Sequence, residues 1–231
     1  MNIVVLTGAG ISKESGLNTF RDEGGLWAGH KVEDVATPEA FVRNPALVHD
    51  FYNQRRAQLF ESAVKPNAGH LALAEFEKDG KANSFLLVTQ NVDNLHEQAG
   101  SKNLLHMHGD LLSVRCTSCG HKQADWKEQH TTETICTACS VKGTTRPDIV
   151  WFGEMPYFMD EIYKALMNCD LFMAIGTSGH VYPAAGFVEL ANAAGARTVE
   201  FNLDHSAVSH AFDEHLLGSA SETLPKFLKN I

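Results

Sequence analysis

Apolar residues in this chain fall in short unbroken runs and seldom alternate with polar ones. Ile3-Val4-Val5-Leu6, Phe85-Leu86-Leu87-Val88 and Leu171-Phe172-Met173-Ala174-Ile175 are the clearest. Continuous runs of this length mark strands buried on both faces, as in a parallel sheet. The pattern predicts strands over 2–7, 85–89, 104–106, 171–176 and 198–203, with helical stretches between them over 68–78, 157–168 and 184–194. Strands alternating with helices imply an α/β protein whose parallel sheet carries helices on both faces. Two segments break the rhythm: 20–65 reads as a helical insertion and 112–147 as a cysteine-bearing one. Both are assigned to a smaller lobe, leaving 1–19, 66–111 and 148–231 for the large domain. Inside the helical insertion, Thr37-Pro38 and Asn44-Pro45 each pair a capping side chain with proline at the first helical position.

At 231 residues the chain is long enough for one large domain with a small insertion. Its 44% hydrophobic and 20% charged residues are ordinary for a globular protein. A formal charge of −9 argues against nucleic acid as a general partner. No run approaches the ~20 apolar residues of a membrane span. Met1-Asn2-Ile3-Val4-Val5-Leu6-Thr7-Gly8 lacks a basic leader and a cleavage site and reads as the first strand, so a cytoplasmic location is expected. Four of five cysteines fall as Cys116-x2-Cys119 and Cys136-x2-Cys139, with 16 residues between the pairs. That spacing suits two turns offering thiolates to one structural Zn2+; the alternative is two reducible disulfides or a redox pair. Cys169, before an apolar strand, reads as a small buried hydrophobe.

Reactive side chains concentrate just beyond the 85–89 strand. Gln90, Asn91, Asp93 and His96 are followed by His106 and His108, where a parallel sheet binds ligands. Gly8-Ala9-Gly10-Ile11-Ser12-Lys13 follows the first strand, and its glycines suit close approach to a pyrophosphate. The dinucleotide fingerprint is incomplete, because Lys13 occupies the third glycine position and no strand-ending acid follows about 20 residues later. A dinucleotide is therefore expected without hydride transfer. Thr19-Phe20-Arg21-Asp22 and Gly25-Leu26-Trp27 form a loop suited to folding over it. Gly176-Thr177-Ser178-Gly179, Asn202 and the small-residue turn Gly218-Ser219-Ala220-Ser221 outline the rest of one crevice, although each alone is a plain turn. Tyr52 and Arg55 share one helix face; a surface arginine packed over a ring is the plain alternative to a binding pair.

In order and over nearly its whole length, the chain resembles the sirtuin family of NAD-dependent protein lysine deacylases. The matching segments are GAGIS at 8–12, TFRD at 19–22, GLW at 25–27, TQNVDNLH at 89–96, HMHG at 106–109, the paired CxxC motifs, VWFGE at 150–154, GTS at 176–178 and VYPAA at 181–185. The pattern is most similar to the bacterial class III, CobB-like type. The resemblance implies a Rossmann-like domain, a small domain of helices and a four-cysteine zinc ribbon, and NAD consumed as co-substrate in the cleft between them. It implies catalytic roles for His108 as general base and for Asn91 and Asp93 around the nicotinamide. Cofactor contacts are implied for Gly8, Ala9, Gly10, Ser12, Phe20, Arg21, Trp27, Gln90, Gly176, Thr177, Ser178, Asn202, Leu203 and Ala220. Acyl-lysine would meet Ala36, Tyr52, Arg55, Val150, Phe152, Gly153, Glu154 and Val181, with the peptide added as a strand. In that class Tyr-x-x-Arg goes with acidic acyl groups, so succinyl- and malonyl-lysine are expected beside acetyl-lysine, with Arg55 offering a carboxylate fork. His106 and His96 read as structural. The zinc closes its sphere with Cys116, Cys119, Cys136 and Cys139 and takes no part in catalysis. Acylated lysines of proteins are the implied partners, and a monomer is expected. An NAD-dependent mono-ADP-ribosyltransferase and a non-catalytic zinc-ribbon binding module are the rival readings.

Overall fold

The computed structural model describes residues 1–17 and 29–231. The first half of the chain supplies β1 (Asn2–Thr7), α1 (Ala9–Lys13), α2 (Val32–Val35), α3 (Pro38–Arg43), α4 (Pro45–Gln58), α5 (Ala68–Asp79), β2 (Ser84–Thr89), α6 (Leu95–Ala99) and β3 (Leu104–His106). Next come β4 (Gly109–Cys116), β5 (Lys122–Gln123) and β6 (Thr145–Ile149). The remainder holds α7 (Met159–Leu166), β7 (Leu171–Ile175), α8 (Phe187–Ala193), β8 (Arg197–Asn202), β9 (Glu214–Leu217) and α9 (Ala220–Leu228).

Six strands form a parallel sheet in the order β3-β2-β1-β7-β8-β9. The order reverses between β1 and β7, so the crevice of this doubly wound sheet opens where Thr7-Gly8 and Ile175-Gly176 leave it. Successive side chains of each strand feed opposite cores. Val4, Leu6, Leu86, Val88, Phe172 and Ala174 pack under Ile162 and Leu166 of α7 and Phe187 of α8. Ile3, Val5, Phe85, Leu87, Met173 and Val199 pack under Leu73 of α5 and Leu224 and Leu228 of α9. Each such side chain, fully buried, contributes about 1.5–3 kcal/mol, which explains why the strands read as unbroken apolar runs.

A second, antiparallel sheet orders its strands β5-β4-β6 and carries the cysteines. Helices α2 to α4 pack on it through Val35, Ala40, Val48, Phe51 and Tyr52 against Leu111, Ile149 and Trp151. The two expected caps are in place: Thr37 Oγ1 accepts from Ala40 N–H at 3.0 Å and Asn44 Oδ1 from Leu47 N–H at 3.2 Å. Polar groups lock helix to sheet. Arg56 Nε donates to Leu111 O at 2.8 Å, Asn53 exchanges two 2.8 Å bonds with the His130 backbone, and His130 joins His49 at 3.0 Å to Thr145 at 2.7 Å.

Several boundaries depart from the sequence pattern. The expected helix over 157–168 is confined to Met159–Leu166, entered through Phe158 at φ 61°. The expected helix over 184–194 divides into a 3-10 turn at Ala184–Gly186 and α8. The turn expected over 218–221 ends at Ser219, because Ala220 already opens α9. Strand β9 and helix α9 were not expected at all.

Candidate active site

The site is built on the ends of β1 and β2, which lie in register with Thr7 opposite Thr89. Thr7 Oγ1 donates to Thr89 Oγ1 at 2.9 Å, and Thr89 Oγ1 accepts the N–H of Asn91 at 3.0 Å. The Asn91 amide donates to Gly8 O and to Ser12 Oγ, both at 3.1 Å. Ser12 Oγ–H donates to Asp93 Oδ2 at 3.0 Å, while Leu95 N–H donates to Oδ1 at 3.1 Å. Ser12, Asn91 and Asp93 are all buried. Burial pushes the Asp93 carboxyl up, opposed by these two hydrogen bonds. With Ala9, Leu17, Val92, Arg55, Gln58, Leu59 and Leu111 they line one cleft. The structure thus brings Arg55 to Asn91 and Asp93 from a separate lobe.

Three histidines stand close by with different protonation, each set by its neighbours. His108 Nδ1 lies 3.2 Å from Gln90 O. A carbonyl only accepts, so Nδ1 carries the proton and Nε2 keeps its lone pair. Burial pulls the His108 pKa down, the Gln90 bond opposing, and the ring is a neutral base. His106 meets acceptors at both nitrogens, Asn91 O at 3.0 Å and Glu97 at 2.7 Å. Burial works against its charge, but the Glu97 carboxylate prevails and raises its pKa. His96 donates from Nε2 to Thr7 Oγ1 at 3.0 Å, and burial holds it neutral.

The glycines at the crevice are needed for packing. A Cβ on Gly10 would sit 2.7 Å from Gly176 Cα, and one on Gly176 would sit 2.5 Å from Ile11 N. Gly176 also holds φ +61°. These residues let α1 pack against the end of β7, and the N–H groups of Gly8, Gly10 and Ile11 are bonded to Ile175 O, Gly176 O and Gly8 O. Asn202 is likewise engaged: its amide donates to Thr177 O at 2.7 Å. Ser178 O accepts from Ala207 N–H at 3.1 Å, Leu203 is exposed, and Ala220 is buried at the start of α9. Phe20, Arg21 and Trp27 lie outside the described residues.

On the acyl side, Tyr52 Oη accepts from Trp151 Nε1–H at 2.9 Å, and burial pushes the phenol pKa up so that it stays protonated. Arg55 is buried, with its guanidinium 4.6 Å from the Phe51 ring centroid. Ala36 O accepts Phe152 N–H at 3.1 Å, and His108 O accepts Val150 N–H at 2.9 Å. Phe152, Gly153 and Val181 are exposed. Glu154, expected beside the peptide, has its carboxylate committed to Arg146 and Arg115 at 2.7 Å and to Trp151 N–H at 2.9 Å. Its visible work is to hold Arg146 flat on Trp151, 3.1 Å from the ring centroid, and so to fix the wall behind Tyr52. Trp151, Arg146, Thr7 and Thr89 were not singled out from the sequence. Trp151 lies within the matching VWFGE segment, and the threonines end two paired apolar runs.

The four cysteine sulfurs lie within 4.8 Å of one another, with Cys116–Cys139 at 3.8 Å and Cys119–Cys136 at 3.7 Å. Sulfurs about 2.3 Å from a tetrahedral zinc stand about 3.8 Å apart, so the set fits the ion. Each pair is followed by a residue in the left-handed region, Gly120 at φ 75° and Ser140 at φ 60°, whose N–H returns to the carbonyl of the first cysteine.

Residues 8–183 match the Sir2 family model. The chain is 58% identical over 227 residues to an NAD-dependent protein deacylase of Bdellovibrio bacteriovorus, covering 98% of this chain and 95% of that protein. The fold matches a Sir2 homologue solved with NAD at a TM-score of 0.89 and 37% identity, covering 99% of this chain and 88% of that one. It also matches Sir2Af2, solved with a myristoylated histone peptide, at a TM-score of 0.75 and 31% identity over 98% and 89% of the chains. A doubly wound sheet with a cysteine-bearing lobe and a cleft holding Ser12, Asn91, Asp93 and Arg55 defines the class. The chain belongs to the Sir2 family.

Proposed function

We propose that this protein is an NAD-dependent protein-lysine deacylase that moves the acyl group from lysine to ADP-ribose and releases nicotinamide. The observation that carries this reading is the buried Ser12–Asn91–Asp93 network facing the same cleft as Arg55, with the neutral base His108 on the adjoining segment. When bound, NAD supplies the activated C–N bond to its nicotinamide. Asn91 and Asp93 bind and orient the carboxamide of that leaving group. Ser12 holds both side chains in place. His108 Nε2 accepts the proton of a ribose hydroxyl, and the Gln90 carbonyl stabilises the charged ring that results.

Arg55 forms a bidentate pair with an acidic acyl tail, and Tyr52, kept neutral by burial, donates its hydroxyl proton. Ala36 leaves the space beside them. Succinyl-, malonyl- and acetyl-lysine are the proposed substrates, with the peptide lying between Phe152-Gly153 and Val181. Zn2+ on the four cysteines is structural, because four thiolates leave no position for water. Those thiolates call for a reducing compartment such as the cytoplasm. No described helix is long and apolar enough to cross a membrane.

The test is to incubate the protein with NAD and one peptide carrying acetyl-, malonyl- or succinyl-lysine, with products identified by mass. Free lysine peptide, nicotinamide and O-acyl-ADP-ribose in equal amounts are expected. A peptide or protein that gains ADP-ribose and keeps its acyl group would establish the ribosyltransferase instead.

A further inference from the structure

We propose that Glu200, His205 and His215 form a second metal site, at the β8–β9 edge of the parallel sheet, for a divalent first-row transition ion such as Zn2+. Glu200 and His215 are direct register partners in the parallel β8/β9 pair, so they project from the same face of the sheet. His205 approaches from the loop that leaves β8. Glu200 Oε2 lies 3.1 Å from His215 Nδ1 and 3.8 Å from His205 Nδ1, and one ligand atom of each residue falls within 4.8 Å of the others. Donors about 2.0–2.1 Å from a tetrahedral zinc stand about 3.3 Å apart. Closing on an ion therefore asks for side-chain adjustments of only a few tenths of an ångström between Glu200 and either ring.

The chemistry of the three groups points the same way. The Glu200 side chain is 3% exposed, and among the described residues its ion-pair partners are these two histidines, with no lysine or arginine beside it. A buried carboxylate without a fixed cation is costly, and a divalent ion offsets that cost. Its other oxygen accepts Ser206 N–H at 3.2 Å, which fixes the carboxylate's orientation as an outer partner does for a ligand. Ser209 Oγ lies 2.7 Å from His205 Nδ1 and 3.3 Å from His215 Nδ1, so a hydroxyl bridges the two rings where an ion would displace it. Two imidazoles with one carboxylate select zinc, copper, cobalt or nickel over magnesium and calcium. The His205 side chain is 57% exposed, so the ion keeps open positions for water, unlike the closed four-thiolate site. Its immediate effect would be to staple the 203–209 loop to β8 and β9.

The protein is tested with its four-thiolate zinc in place, by titration calorimetry with Zn2+ and by absorption on adding Co2+. Wild type is expected to take up one further equivalent. The cobalt spectrum should show d–d bands and no thiolate charge-transfer band. His205→Ala and His215→Ala should each weaken that uptake tenfold or more, and the double variant should abolish it, while the first zinc remains at one per chain. Amides 205–209 should exchange more slowly with Zn2+ added to wild type. Exposed His205 tolerates truncation, so matching melting curves for His205→Ala keep the comparison valid if His215→Ala fails to fold. No second equivalent in wild type, or one undiminished in a folded His205→Ala protein, would reduce the cluster to a hydrogen-bonded Glu–His pair.

Discussion

Arg55→Met isolates the acyl preference from the rest of the reaction. Methionine keeps much of the arginine stem that packs between Phe51 and the cleft and removes only the charged fork. Truncating one partner of a buried, hydrogen-bonded charge pair costs about 2–5 kcal/mol. Arg55 is 6% exposed, but the cleft it borders opens to solvent, which favours the lower end, about 2–3 kcal/mol or roughly 30- to 150-fold. An acetyl methyl makes no ion pair, so deacetylation should change by no more than about threefold. The assay is kcat/KM for one peptide sequence carrying succinyl- or acetyl-lysine at saturating NAD, with melting curves confirming the fold. The ratio of the two values should collapse, mostly through KM, because the pair is made in ground and transition state alike. An unchanged ratio in a folded variant would refute the role of Arg55.

The acid limb of the pH profile should report His108. Its folded pKa lies below the ordinary 6.5, and the base is the neutral ring, so activity is present above that pKa and falls as pH drops through it. Initial-rate profiles should show a midpoint below 6.5, lost in His108→Ala. Gly176→Ala combines a left-handed φ with a Cβ 2.5 Å from Ile11 N, costs of about 1–2 and 1–3 kcal/mol. A Tm lowered by about 4–20 °C is expected in a thermal melt. Cys119→Ser should lose the tight zinc and leave amides 117–144 unprotected in hydrogen exchange, with the six-stranded sheet still protected.

The strands β1, β2 and β7 were legible because burial on both faces writes them as unbroken apolar runs, and β8 because Val199 and Phe201 alternate with Thr198 and Glu200. Strand β9 is an edge, bonded to β8 alone, and its Glu214 and His215 are exposed, so no apolar run announces it. Helix α9 was hidden by Pro225, which reads as a breaker. It forms nevertheless because Leu224 and Leu228, one turn apart, are buried under the sheet and Phe227 meets Phe201 at 5.2 Å. In β4 the register shifts between Gly109 and Val114, which breaks the period-2 signal a half-buried strand would show. The site residues were legible as chemistry-bearing types at strand ends. Their grouping was not, because Arg55 comes to line the cleft of Asn91 and Asp93 only through the packing of α4.

His96, His106 and His108 make the same point at atomic scale. They lie within 13 positions on one short stretch, and composition treats them alike. A hydroxyl that is already donating can only accept from His96 Nε2–H, and with Nδ1 buried and unpartnered among the described residues, burial keeps that ring neutral. A carboxylate on one side and a carbonyl on the other require both protons on His106. A single carbonyl holds one proton of His108 and leaves the other nitrogen as a base. The roles of the three rings are therefore set by the number and kind of acceptors around each. Replacing Glu97 with glutamine should lower the pKa of His106 while leaving that of His108 in place, a difference that histidine NMR titration resolves. A parallel fall at His108 would mean that the two rings titrate as one unit and that the base cannot be assigned to a single residue.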